Sequence, residues 1–159
     1  MGLMLFLALI LVAPTTWGQD YPNADQVELF QLWNNCRPVE MIIGQLPNDA
    51  LDFGLRVENI EVAVRSRLRA ARIFTEEPQY RSGLLEVGVT VTGFTFNANA
   101  WYYKIFDDPA SGITASAISW TRGVSGVHAR DSTYVVSSIS QVIDIFIDEY
   151  LRVNEEACL

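Results

Sequence analysis

At 159 residues and a formal net charge of −8, the chain is long enough for one domain with a real core. The acidic balance disfavours general binding to nucleic acid or to anionic membrane, because the long-range field repels polyanions. A single histidine and two cysteines, with no HExxH or CxxC spacing, imply neither a metal centre nor a cofactor.

Leu3 to Ala13 is an unbroken apolar run of 11 residues. Spanning a bilayer takes about 20, so the run has the length of a secretory h-region instead. Thr16-Trp17-Gly18 places small residues at the −3 and −1 positions of a cleavage site after Gly18. No Lys or Arg precedes the run, which departs from the usual pattern. The alternatives are a buried N-terminal helix or an uncleaved anchor, and the latter would be the one membrane contact. The reading is a signal peptide over 1–18 and a single domain over 19–159, periplasmic or secreted.

Asp25 is placed to cap a short helix carrying Val27, Leu29, Phe30, Leu32 and Trp33 and ending near Asn34-Asn35. Pro38 to Ile43 reads as a short strand closed by Gly44, and Gln45 to Gly54 as a loop. A helix follows from about Arg56 to Arg72, with Val57, Ile60, Ala63, Val64, Leu68 and Ala71 on its apolar face. Arg65, Arg69 and Arg72 cluster on the polar side. They form a weak candidate anion patch, or simply cations favoured near a helix C-terminus by its dipole. Arg67 falls inside the apolar arc and must snorkel outward or meet a carboxylate.

From Leu84 the alternation has a period of two: Leu85, Val87, Val89 and Val91 face one way and Glu86, Gly88, Thr90 and Thr92 the other. The phase flips at Gly93, which suggests a bulge or bend, and Phe94, Phe96, Ala98, Ala100 and Tyr102 carry the apolar set onward. Asp107 to Gly112 is a hairpin connection by composition, Ile113 to Arg122 the returning strand, and Gly123 to Arg130 a flexible loop. The last stretch, Asp131 to Cys158, has the strongest pattern. Val135, Val136, Ile139, Val142, Ile143, Phe146, Ile147, Tyr150 and Val153 fall on one stripe, with Ser137, Ser140, Gln141, Asp144, Asp148 and Arg152 opposite. The fold class is α+β: two layers, a mostly antiparallel sheet of about four strands with helices packed on one face.

If Phe106 pairs with Ile113, Tyr102 sits opposite Ala117, Ala100 opposite Ser119 and Lys104 opposite Ala115. The other face then carries Asn97, Asn99, Trp101, Tyr103 and Ile105 beside Ile118, Trp120 and Arg122. Aromatic rings among Asn and Arg side chains suit binding of an envelope protein or a glycan, or they cover the open side of the sheet with no ligand at all. A one-residue slip would exchange the faces. His128 with Asp131 and Ser125 or Ser132 lies too close in sequence to form a triad. Asp49 with Asp52 and Asp107 with Asp108 are carboxylate pairs in turns, where Asp is favoured for local hydrogen bonding. A small hydrolase with its site at the loops around Asp49, Asp52 and His128 is the enzymatic alternative. A structural envelope subunit with a self-complementary sheet edge is another. In an exported chain the two cysteines, Cys36 and Cys158, read first as one disulfide.

Two segments, Val62 to Phe74 (VAVRSRLRAARIF) and Tyr150 to Cys158 (YLRVNEEAC), resemble small exported bacterial proteins of unassigned function. In these an arginine-rich helix precedes the sheet and the chain closes on cysteine. The resemblance implies a periplasmic or secreted bacterial protein and carries over no active-site residue. The function expected is that of an exported, non-enzymatic binding or envelope protein.

Overall fold

The computed structural model describes residues 23–77 and 83–158. In chain order these form α1 (Ala24–Leu32), β1 (Val39–Ile43), α2 (Asn48–Leu51) and α3 (Val57–Ala70). Then come β2 (Gly83–Thr92), β3 (Thr95–Asp108), β4 (Ile113–Val127), α4 (Ser132–Val153) and α5 (Glu155–Cys158). The signal segment and its cleavage point lie outside the described residues.

Four strands lie in the order β1-β2-β3-β4. The β1–β2 pair is parallel, joined through α2 and α3, and the other two pairs are antiparallel hairpins. The α+β expectation of a mostly antiparallel sheet with helices on one face therefore holds. The phase change at Gly93 is a full reversal of the chain. Thr92 pairs with Thr95, and Gly93 takes a φ of 60°, in the left-handed region that costs a glycine little.

The covered face explains the period-two pattern. Leu85, Val87, Val89 and Val91 of β2 and Phe96, Ala98, Ala100 and Tyr102 of β3 are buried beneath the helices. Opposite them α4 brings Val135, Ile139, Val142, Ile143, Phe146 and Tyr150. Ala98 and Ala100 let α4 settle close to β3, so that Ile139, Val142 and Ile143 meet Val87 with almost no space left. Phe146 is the hub, with its ring centroid 5.3 Å from Tyr102, 5.1 Å from Trp120 and 5.6 Å from Tyr150. Arg67, inside the apolar arc of α3, does meet a carboxylate: its Nε lies 3.0 Å from Asp144 Oδ1 on α4.

Several local expectations are corrected. Asn23, not Asp25, caps α1: its side chain accepts from the Gln26 amide at 2.9 Å, and the Gln26 side chain accepts from the Asn23 amide at 3.0 Å. Residues 48–51, within the expected loop, form the short α2. Ser140, expected on the wet side of the last helix, is buried with its hydroxyl donating to Val136 O at 2.8 Å. Of the two residues the sequence offers as a cap for the last helix, Asp131 and Ser132, it is Asp131 that caps α4, accepting from the Thr133 and Tyr134 amides at 2.9 and 3.2 Å.

The largest correction concerns β4. Residues 123–127, expected as flexible loop, continue the strand and pair with Thr95 to Asn99. Both glycines serve close approach: a Cβ on Gly123 would stand 2.2 Å from Asn99 Oδ1, and one on Gly126 2.9 Å from the Phe96 ring. The hairpin register is Asp108 with Ile113, two residues along from the expected one, which leaves faces unchanged. A bulge then changes them. Tyr102 pairs with Trp120 and Tyr103 with Ile118, leaving Ser119 as the extra residue. Its buried hydroxyl donates to Gln31 O of α1 at 2.7 Å.

The two ends of the domain are joined by a Cys36–Cys158 disulfide with a Cα–Cα distance of 5.1 Å. Beside it, the side chain of buried Asn154 makes four hydrogen bonds. Its Oδ1 accepts from the Asn34 and Cys36 amides at 3.0 and 3.2 Å, and its Nδ2 donates to Leu32 O and Tyr150 O at 3.1 and 2.9 Å. These bonds hold a loop in which Asn35 and Cys36 both adopt positive φ, 63° and 52°.

Candidate binding face

Among the described residues the helices leave one side of the sheet uncovered, and β3 presents Asn97, Asn99, Trp101, Tyr103 and Ile105 there. Trp101 lies across the strand beside it. A Cβ on Gly88 would stand 2.8 Å from Trp101 Cζ3, so the glycine is the seat on which the indole rests. Tyr103 donates its hydroxyl to Glu86 Oε2 at 2.7 Å, and that bond holds the phenol above the ordinary tyrosine pKa. Asn99 Nδ2 donates to Asn97 Oδ1 at 2.9 Å, aligning the two amides along the strand. Ile118, opposite Tyr103, is 51% exposed, and Thr121 stands opposite Trp101. The face is thus a half-buried indole and phenol bordered by amides, a carboxylate, hydroxyls and exposed aliphatic side chains.

Trp120 and Arg122 do not belong to it. The Ser119 bulge turns Trp120 into the core, where it is 2% exposed. There its Nε1 donates to Glu149 Oε2 of α4 at 2.7 Å. Arg122 follows to the same side, donating through Nη2 to Glu149 Oε1 at 3.2 Å with its guanidinium 5.8 Å from the Trp120 ring. The reason is energetic. Burying the indole removes a large apolar area from water, and Glu149 satisfies the N–H that goes with it.

The arginine cluster is largely engaged within the fold. Arg65 pairs with Glu61 and Arg69 with Glu76, and the two guanidiniums lie 5.8 and 5.4 Å from the Phe74 ring. Arg72 is exposed at a φ of 61°, just past the end of α3. His128 is buried and stacked on Phe53 at 4.2 Å. Its Nδ1 accepts from the Arg130 amide at 2.9 Å, which leaves Nε2 to donate to Gly93 O at 3.0 Å. Both ring nitrogens therefore brace the β2–β3 turn against the loop before α4. Asp131 is spent on its cap, and Asp49 and Asp52 are exposed on α2 and the turn after it. The arrangement does not place a nucleophile, base and orienter together.

No protein-family model and no curated protein matches the chain. Among solved structures, a minor lipoprotein from Acinetobacter baumannii is similar at 12% identity. The match covers 76% of this chain and 94% of that one, with a TM-score of 0.37. Similarity at this level assigns neither fold nor function. Among the described residues no helix is long and apolar enough to cross a membrane, and no group of His, Cys, Asp or Glu is placed to hold a metal ion.

The fold brings Phe30 of α1 together with Lys104 and Phe106 of β3, a grouping that no local pattern in the sequence announces. Phe30 and Phe106 stack at 5.2 Å, and Lys104 Nζ donates to Phe30 O at 2.6 Å. One signal was available: Lys104 is the single lysine of an acidic chain.

Proposed function

We infer that this chain is an exported, non-enzymatic binding protein that meets a protein partner through the uncovered face of its sheet. The observation that carries this reading is the seating of Trp101 over Gly88, which offers a large rigid contact surface at low entropic cost. Exposed Ile42, Ile118 and Val127, at 46, 51 and 62%, widen the patch with aliphatic surface. That composition favours a protein over a glycan, since sugars are held by polar groups around a ring and gain little from scattered aliphatic side chains. The Cys36–Cys158 bond supports export, because disulfides persist in oxidising compartments.

The test is cross-linked capture from the native envelope with wild type, Trp101→Ala, Ile118→Asp and a Val62→Ser control on the exposed flank of α3. The reading predicts proteins that Trp101→Ala and Ile118→Asp both lose at unchanged melting temperature, while the control retains them. Identical captured sets from all four would sink it, and retention of glycans in place of proteins would move it to the glycan class.

A second reading, a structural subunit, draws on β4. This edge strand of 15 residues, ITASAISWTRGVSGV, carries one charge and no proline, so the bulge at Ser119 is its main guard against edge-to-edge pairing. Sedimentation that stays monomeric at high concentration would remove it.

A further inference from the structure

On the helix-covered side, where α1 crosses β3, a cavity of about 590 Å³ opens among Phe30, Trp33, Asn34, Tyr102, Lys104 and Phe106. Small-molecule sites typically hold about 300–1,000 Å³. Lys104 is half-buried there, with Nζ 5.7 and 5.8 Å from the Phe30 and Phe106 ring centroids. An ammonium has three donors, and Phe30 O takes one at 2.6 Å. Asp107 also lines the cavity, and among the described residues no carboxylate forms an ion pair with Lys104. Desolvation by burial lowers its pKa, as expected for a cation removed from water without a counter-ion.

The apolar surroundings are equally unfinished. Phe30 and Trp33 remain 60 and 46% exposed at the cavity mouth, which is the kind of clustered ring surface that marks a binding groove. The wall is preformed. Asn34 Nδ2 donates to Tyr102 Oη at 2.9 Å and to Arg37 O at 3.2 Å, Tyr150 Oη donates to Asn34 Oδ1, and Asn154 holds the Asn34 amide. A site that is rigid before binding loses little entropy when filled.

We propose that this cavity binds a small amphipathic carboxylate, its head at Lys104 Nζ and its apolar body against Phe30, Trp33 and Phe106. Two spare ammonium donors match the two oxygens of one carboxylate, whereas a phosphate dianion asks for a larger set of donors. The site lies across the sheet from Trp101, and neither Trp101 nor Tyr103 lines it.

Because the chain has a single lysine, protein labelled with ¹³C,¹⁵N-lysine gives one side-chain signal to follow. Phenylacetate and decanoate are titrated against it, with phenylacetamide as the uncharged control. The carboxylates at millimolar concentration shift the Lys104 signal and the amide leaves it in place. By ligand-observed NMR, Lys104→Gln and the exposed-ring variant Phe30→Ala each weaken carboxylate binding about tenfold. Lys104→Arg restores part of it, and Trp101→Ala changes nothing. A Lys104 signal unmoved by both carboxylates overturns the proposal. So does an equal response to the amide, or wild-type affinity in folded Lys104→Gln.

Discussion

Asn154 shows how much one side chain can organise. Its carboxamide is 1% exposed, and its four hydrogen bonds fix the loop that carries Cys36. Asn154→Ala strands the Asn34 and Cys36 amides and the Leu32 carbonyl, while Tyr150 O keeps the backbone amide of residue 154. Stability falls by about 3 kcal/mol in urea unfolding, because each buried group left unpaired costs about 1–3 kcal/mol and some are recovered by water. A second residue-scale prediction concerns Tyr102 and Tyr150. Burial holds both phenols well above the ordinary tyrosine pKa, with the Asn34 hydrogen bond opposing it. The unfolded phenols ionise near pH 10, so the stability tied to their neutral forms is complete below about pH 10 and is lost as the pH climbs above it. Urea midpoints therefore decline above that point. In Tyr150→Phe the decline is shallower, while stability at pH 8 is lower by about 1–2 kcal/mol for the lost bonds to Asn34 and Arg37 O. None of this was legible in the sequence, where Asn34 and Asn154 are polar residues at the ends of helices and their pairing spans 120 residues.

At the scale of elements, α4 was the most readable part of the chain because its pattern is long and one-sided. Val135, Ile139, Val142, Ile143, Phe146 and Tyr150 all sit where a period of 3.6 puts them. The covered face of β2 and β3 was readable for the same reason at a period of two. The strand β4 was not. Its residues 113–118 are exposed throughout, so alternation carries no signal there, and the bulge at Ser119 depends on a hydrogen bond to α1 that no local pattern encodes. That is why local alternation puts Trp120 on the wrong side and groups only part of one face correctly. Asn97, Asn99, Trp101 and Tyr103 share one surface, and Trp120 and Arg122 do not. The prediction at this scale tests the junction of β4 with α4. Glu149→Ala leaves the buried Trp120 N–H unpaired and costs about 2 kcal/mol. Arg122→Ala, removing an exposed partner of the same carboxylate, costs less than about 1 kcal/mol. Equal losses from the two would mean the indole bond contributes nothing.

For the whole molecule, the disulfide is the interaction that sequence arithmetic anticipated most directly, two cysteines having one intramolecular pairing. The bond joins residues 122 apart in sequence. In the chain-entropy model, closing a loop of that length stabilises the fold by about 5 kcal/mol. Paired Cys36→Ser/Cys158→Ser substitution is expected to lower unfolding free energy by up to about that amount. The core formed by α4 and the sheet remains, so near-ultraviolet circular dichroism at low temperature is unchanged.

That bond also makes the chain from Cys36 to Cys158 a covalent ring. The exposed four-residue turn between Asp108 and Ile113 is a natural place for a protease to nick it. A single cut there opens the ring without dividing it. The nicked protein should migrate as one species until a reductant is added, and then as two fragments, so damage at this turn costs the molecule its continuity but not its parts.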